Sequence, residues 1–239
     1  MPTARTTQTR IESEALLLRF VAYRDSDVIA TFFTRTDGKI GAIVPAGRKS
    51  ARRVGGAMEP MHTLHVSLED RGRELGTLKE ARVVVQRFGL VGDLDALDAA
   101  GTALRWLRHV CPPRIPEPRA WDTVTGLLDT LDARQHPPRS ALAIAALRLL
   151  ADVGYALEFE HCVRCGRGCP PGKPAFIDAA RGGLICQSCG GAPARIGGEL
   201  RARAADITRG EEPELTDEDA EELLVLVDAA MRAHAGGEG

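Results

Sequence analysis

Two Cys-x-x-Cys pairs, Cys162-Val-Arg-Cys165 and Cys186-Gln-Ser-Cys189, stand twenty residues apart in the chain. Four soft thiolates at this spacing read as a tetrahedral structural zinc site holding one Zn2+ per chain. Whatever else the chain does, it must then bring both pairs to one point. Each pair is followed by a glycine, Gly166 or Gly190, where a tight turn calls for positive φ. Between the pairs, Ala175-Phe176-Ile177 and Leu184-Ile185 flank a small, Gly-containing stretch, which predicts a short hairpin carrying one pair on each arm. Two disulfides or four idle thiols would be the alternatives. Disulfides belong to small secreted domains, and the polar, Thr-rich segment from Met1 to Arg10 lacks the apolar core of a secretory signal. Four protein ligands leave no open position, so the ion is expected to staple the fold and perform no chemistry. Cys169 breaks the paired spacing and His161 abuts Cys162; the spacing leaves open whether either substitutes as a ligand. Cys111 reads as a buried thiol.

The rest of the chain changes period once. From residue 15 to 88 it reads as β, with runs at Leu16–Tyr23, Val28–Thr34, Ile40–Val44, Met61–Leu68 and Leu75–Phe88. An Asp37-Gly38 pair suits a type I′ hairpin, and Asp70-Arg71-Gly72 marks a turn. Five strands in this length suit a small closed barrel, and the OB-fold is the five-stranded member of that class. From residue 93 to 157 the period becomes helical. Leu94, Leu97, Leu104 and Leu107 mark one helix, ended by Pro112-Pro113; Trp121, Val124, Leu127, Leu128 and Leu131 mark a second; Leu142, Ala146, Leu149, Leu150 and Val153 mark a third. Thr216-Asp217-Glu218-Asp219 reads as a capping box ahead of a last helix with Leu223, Leu224 and Val227 on its stripe. The expected class is a multi-module α+β chain. It comprises an OB-fold at 11–90, a helical domain at 91–158 and 196–235, a four-cysteine module at 159–195, and disordered ends at 1–10 and 236–239.

A net charge of -2 hides an asymmetry. Residues 35–53 carry Arg35, Lys39, Arg48, Lys49, Arg52 and Arg53 against Asp37 alone, whereas residues 211–239 carry ten carboxylates against Arg232. Arg35 and Lys39 bracket the Asp-Gly turn, and the other four cations sit in a Gly/Ser/Ala loop with no large apolar residue. Such a segment can lie along a phosphate backbone and bind any sequence by counterion release. A solvated loop kept for solubility is the alternative. Of the aromatics, Tyr23, Phe32 and Phe33 lie near the patch; alternation sets the two Phe side chains on opposite faces, with core packing the expected role.

Several motifs carry nothing. Gly166 to Gly172-Lys173 has the wrong spacing for a phosphate loop, and Pro174 replaces its Ser or Thr. Asp25 and Asp27 read as a turn, and His62 and His65 face opposite sides of a strand. No nucleophile with a base, carboxylate pair or dinucleotide fingerprint emerges, so no enzyme is expected. A zinc-ribbon adaptor of the transcription or translation machinery would need only the knuckles and leaves the basic barrel unexplained. A nuclease would need clustered acids near the barrel, and the acids lie at the C-terminus.

Tyr23-Arg24-Asp25-Ser26-Asp27, Phe33 to Ile40, Gly47-Arg48-Lys49-Ser50 and Gly55 to Pro60 closely resemble the N-terminal domain of the bacterial RecO recombination mediators. The order of modules matches that family over nearly the whole chain. The resemblance implies an OB-fold protein that binds single- and double-stranded DNA and anneals complementary strands. With RecR, such a protein helps to load the RecA recombinase onto strands coated by single-strand-binding protein. The helices carry more Leu and Ala than one small core needs, so the bundle is expected to supply an apolar or basic groove for protein tails. The resemblance names the tail of single-strand-binding protein and RecR as its occupants and implies that the chain is cytoplasmic and nucleoid-associated.

Overall fold

The computed structural model describes residues 9–47, 60–70, 72 and 74–234. Five strands open the chain: β1 (Thr9–Tyr23), β2 (Asp27–Thr34), β3 (Gly38–Val44), β4 (Thr63–Asp70) and β5 (Leu75–Val85). Their pairing closes on itself in the order β1-β2-β3-β5-β4, antiparallel except where β3 meets β5. Side chains of one face fill this barrel, among them Leu17, Phe32, Ile40, Leu64, Val66 and Leu68. The apolar run of β1 does not alternate with polar residues because it is buried on both sides. Ala15 and Leu17 point into the barrel, while Leu16 and its register partner Phe33 join the core of the helices.

Three helices follow, α1 (Leu94–Val110), α2 (Pro118–Asp132) and α3 (Pro138–Asp152). After the cysteine module come α4 (Gly198–Thr208) and α5 (Asp217–His234). Asp93 caps α1 by accepting from the N–H groups of Asp95 and Ala96. The capping box of α5 forms as its sequence predicts: Thr216 N–H donates to Asp219 Oδ2 (3.0 Å) and Asp219 N–H to Thr216 Oγ1 (3.2 Å). A three-stranded sheet of β6 (Ala175–Asp178), β7 (Gly183–Leu184) and β8 (Ala194–Ile196), in the order β7-β6-β8, forms the cysteine module. Ile177, Leu184 and Ile196 tie it to the same apolar core as the helices.

Barrel and bundle are locked by a mixed interface. Phe33 stacks on Trp121 of α2 with ring centroids 6.2 Å apart. Arg87, 2% exposed, donates to Asp129 Oδ1 (2.7 Å), Met61 O (2.8 Å) and Thr63 Oγ1 (3.0 Å). Arg114 forks onto Asp70 at 2.5 and 3.3 Å.

The structure departs from the sequence reading at several points. β1 starts at Thr9, inside the segment expected to be disordered, because Thr9 and Arg10 pair with Asp70 and Glu69 of β4; residues 1–8 and 235–239 lie outside the described residues. The β2–β3 connection is a three-residue loop, not type I′: Thr34 pairs with Gly38, and Gly38 alone of the pair takes positive φ, +69°. Strand β5 ends at Val85, and Phe88 is exposed while Arg87 is buried. On α1, Leu94 is 84% exposed; the buried face runs through Ala96, Ala99, Ala100, Ala103, Leu104 and Leu107. Alanines let α1 approach its neighbours closely, so they outrank the leucine in setting which stripe faces inward.

Candidate metal centre and nucleic-acid interface

The four sulfurs of Cys162, Cys165, Cys186 and Cys189 all lie within 4.8 Å of one another. Bonds of about 2.3 Å to a central tetrahedral ion would put thiolates roughly 3.8 Å apart, and Cys165 Sγ and Cys186 Sγ are 3.7 Å apart. Both knuckles are built by their backbones. Gly166 (φ +72°) donates to Cys162 O at 2.8 Å, and Gly190 (φ +104°) donates to Gln187 O at 3.0 Å. Neither glycine has a neighbour within 4 Å of where a Cβ would sit, so the turn, not the space, selects glycine here. Cys186 N–H donates to Cys162 Sγ (3.3 Å) and holds that thiol down at about 6. The sulfurs of Cys186 and Cys165 push Cys189 up to about 12. Four thiolates this close repel one another unless a cation sits among them, which is what the donor set fits. Cys169 and His161 are outside the cluster. Cys111 is buried as expected, its thiol pushed up to about 12 by that burial and then by Glu117.

A buried guanidinium holds the module in place. Arg201 of α4, 4% exposed, donates to the carbonyls of Phe159 (2.6 Å), Pro170 (2.6 Å) and Lys173 (3.2 Å). Sequence reasoning missed it because carbonyl partners leave no trace in residue type.

Of the six cations in the basic segment, Arg48, Lys49, Arg52 and Arg53 lie outside the described residues. Arg35 and Lys39 do share one end of the β2–β3 hairpin, and that end faces the bundle. Lys39 Nζ donates to Arg108 O (2.6 Å) in the last turn of α1, where a cation suits the helix dipole. Arg35 pairs with Asp122 at 3.1 Å with half of its side chain exposed. Phe32 and Phe33 are fully buried, in the barrel and against Trp121 respectively, so neither is a stacking platform. A bulge between Leu17 and Arg19 instead brings an exposed cation and an exposed aromatic side by side. Uninterrupted alternation from Leu17 would turn Arg19 into the barrel core; the extra residue turns it out, beside Phe20, which is 42% exposed. Arg24 lies 5.0 Å over the Tyr23 ring further along the same strand. A bulge has no residue signature here, so Arg19 and Phe20 were missed.

The helices leave a groove of about 320 Å³ between α2 and α3, floored by Leu127, Ala141, Ile144 and Ala145. Arg148 enters it, bound to Glu212 (2.8 Å) and to the carbonyls of Gly210 and Glu211, with its Nε buried and making no hydrogen bond among the described residues.

Residues 9–87 match the family described as Recombination protein O N terminal, and residues 91–238 match Recombination protein O C terminal. The chain belongs to the RecO family. Across 225 residues it is 31% identical to the DNA repair protein RecO of Geobacter metallireducens, covering 93% of this chain and 91% of that one. It is 34% identical over 181 residues to that of Myxococcus xanthus, covering 76% and 73%, and 34% over 183 residues to that of an Anaeromyxobacter strain, covering 75% and 70%. In this RecO-family chain the cysteine cluster fits zinc binding, and among the described residues no helix is long and apolar enough to cross a membrane.

Proposed function

We propose that the chain is a non-catalytic recombination mediator. It binds single- and double-stranded DNA on an OB-fold barrel, anneals complementary strands, and with RecR helps to load RecA onto DNA coated by single-strand-binding protein. The observation that carries the reading is a closed five-stranded barrel whose β3–β4 connection holds Arg48, Lys49, Arg52 and Arg53, in a chain matching both halves of the RecO family. The barrel, helical domain and cysteine module would divide at the boundaries given above, in the bacterial cytoplasm at the nucleoid. Cys162, Cys165, Cys186 and Cys189 hold one structural Zn2+. The loop cations, with Arg35 and Lys39 at the hairpin end, follow the phosphate backbone, and Arg19 and Phe20 extend the track with a cation and a stacking face. Lys39 also anchors α1, so charge reversal there would disturb structure as well as binding. The α2–α3 groove suits the tail of single-strand-binding protein, whose carboxylates would meet Arg148.

Annealing of complementary strands without ATP tests the reading and separates it from an adaptor or a nuclease. Changing Arg48, Lys49, Arg52 and Arg53 together to serine should flatten the log–log salt dependence of single-strand binding, by roughly 0.7 for each phosphate no longer neutralised. It should slow annealing of every sequence by a similar factor. An unmodified protein that fails to anneal, or a quadruple variant with the parent salt slope and rate, would sink it.

A further inference from the structure

The helical bundle carries a second groove with a more acidic rim. Two helical stripes face each other across it: Asp95, Asp98, Thr102 and Trp106 of α1, and Glu221, Leu224, Val225 and Asp228 of α5. Arg139 and Leu142 at the start of α3 close its base, and the groove encloses about 310 Å³. Its floor is apolar. Trp106 and Leu142 are buried, Leu224 is half-buried, and Val225 is 60% exposed. Leu94, one turn before Asp98 on α1, adds another exposed apolar side chain. The rim is acidic. Glu221 is bound to Arg139 (2.5 Å) and Asp228 to Arg232, but Asp95 and Asp98 make no ion pair among the described residues.

We infer that this groove docks a basic amphipathic helix of a partner protein. Three helices that pack around a trough offer the geometry of an incomplete four-helix arrangement, in which a guest helix lays its apolar stripe along the floor. Charge decides what the guest is. Asp95 and Asp98, which make no ion pair among the described residues, favour Lys and Arg on the guest's flanks, and they repel nucleic acid and acidic tails alike. Asp95 and Asp98 lie roughly 15–20 Å along α1 from Arg108, where the barrel hairpin attaches.

The test uses the full chain without DNA and a labelled peptide of about eighteen residues made of Leu, Ala and Lys. Its leucines fall on one helical stripe and its lysines flank them; a scrambled peptide of equal composition is the control. Fluorescence anisotropy should show the patterned peptide binding at least about tenfold tighter than the scrambled one. Asp98→Lys should weaken it by a similar factor. Val225→Glu is the sharper variant: it adds a negative charge while spoiling the apolar floor, so docking predicts weaker binding and mere charge attraction predicts tighter. Both positions are exposed, and an unchanged melting temperature will show that both variants fold. Equal binding of the two peptides, no binding of either, or tighter binding by Val225→Glu overturns the inference. So does sedimentation showing a dimer of the parent that Val225→Glu dissociates, since the groove would then hold a second copy.

Discussion

At the scale of single residues the cysteines and the arginines divide the structural work. Four sulfurs that crowd to 3.7 Å fit a bound cation, and on the zinc assignment proposed above the folding of residues 159–195 should be coupled to metal loading. Changing Cys162 and Cys165 together to serine should take metal analysis from one zinc per chain to none. It should also lower the melting temperature and solubility, while leaving DNA binding by the barrel in place. Zinc content unchanged in that variant, or absent from the parent, would contradict the assignment. The cysteines were legible in the sequence because ligand spacing is itself the signal. Arg201 and Arg87 were not, because their partners are mainly carbonyls and side chains brought close only by the finished fold. Phe33 was half legible. Alternation set it opposite Phe32, but nothing in the strand said that Trp121 would cover it.

Among the elements, the helices were read best where large apolar residues mark them. All five stripe residues chosen for α2 are buried, whereas on α1 Leu104 and Leu107 are buried and Leu97 packs on the core but Leu94 is exposed, alanines completing the buried face. α4 has few large apolar residues and went unread as a separate helix. Strands β2 to β5 were found to within about three residues of their ends, but the first half of β1, its bulge and the geometry of the β2–β3 loop were not. All are set by pairing across the sheet, which one strand's sequence does not encode. One helix end carries a pH signature. Asp152 closes α3, where a negative charge opposes the helix dipole, and partial burial raises its pKa by more than the hydroxyl of Thr123 (2.6 Å) and nearby arginines lower it. A folded pKa above the unfolded value means that the native state holds the proton more tightly. Its stabilising effect is complete below the unfolded value of about 3.9 and is lost as pH rises through the folded one. Asp152→Asn keeps an acceptor for Thr123 and removes that loss. Thermal denaturation should show it more stable than the parent near neutral pH, with the gain shrinking as pH falls toward about 4; a gain that grows with acidity would refute the account.

On the scale of the whole molecule, the barrel and the helices are one body because the hairpin end of the barrel is wedged into the α1–α2 connection. Arg114 N–H donates to Lys39 O (3.0 Å), and a Cβ on Gly38 would sit 2.1 Å from the Ile115 carbonyl oxygen. With φ at +69° as well, Gly38→Ala should cost on the order of 2–4 kcal/mol. Chemical denaturation would measure the loss, and Trp121 fluorescence should shift as the interface loosens. A variant of parent stability with unchanged emission would show that the wedge is not what joins the two parts.

The central helix has one more consequence. From Ser140 to Leu150 no residue of α3 is exposed, and the two grooves use its two flanks, Ile144 and Arg148 on one and Arg139 and Leu142 on the other. Surface helices keep a stripe on which substitutions can accumulate without penalty; α3 has none. Any change that improves the fit of one groove is judged again by the other, so over evolutionary time this helix is the part of the bundle with the least room to drift.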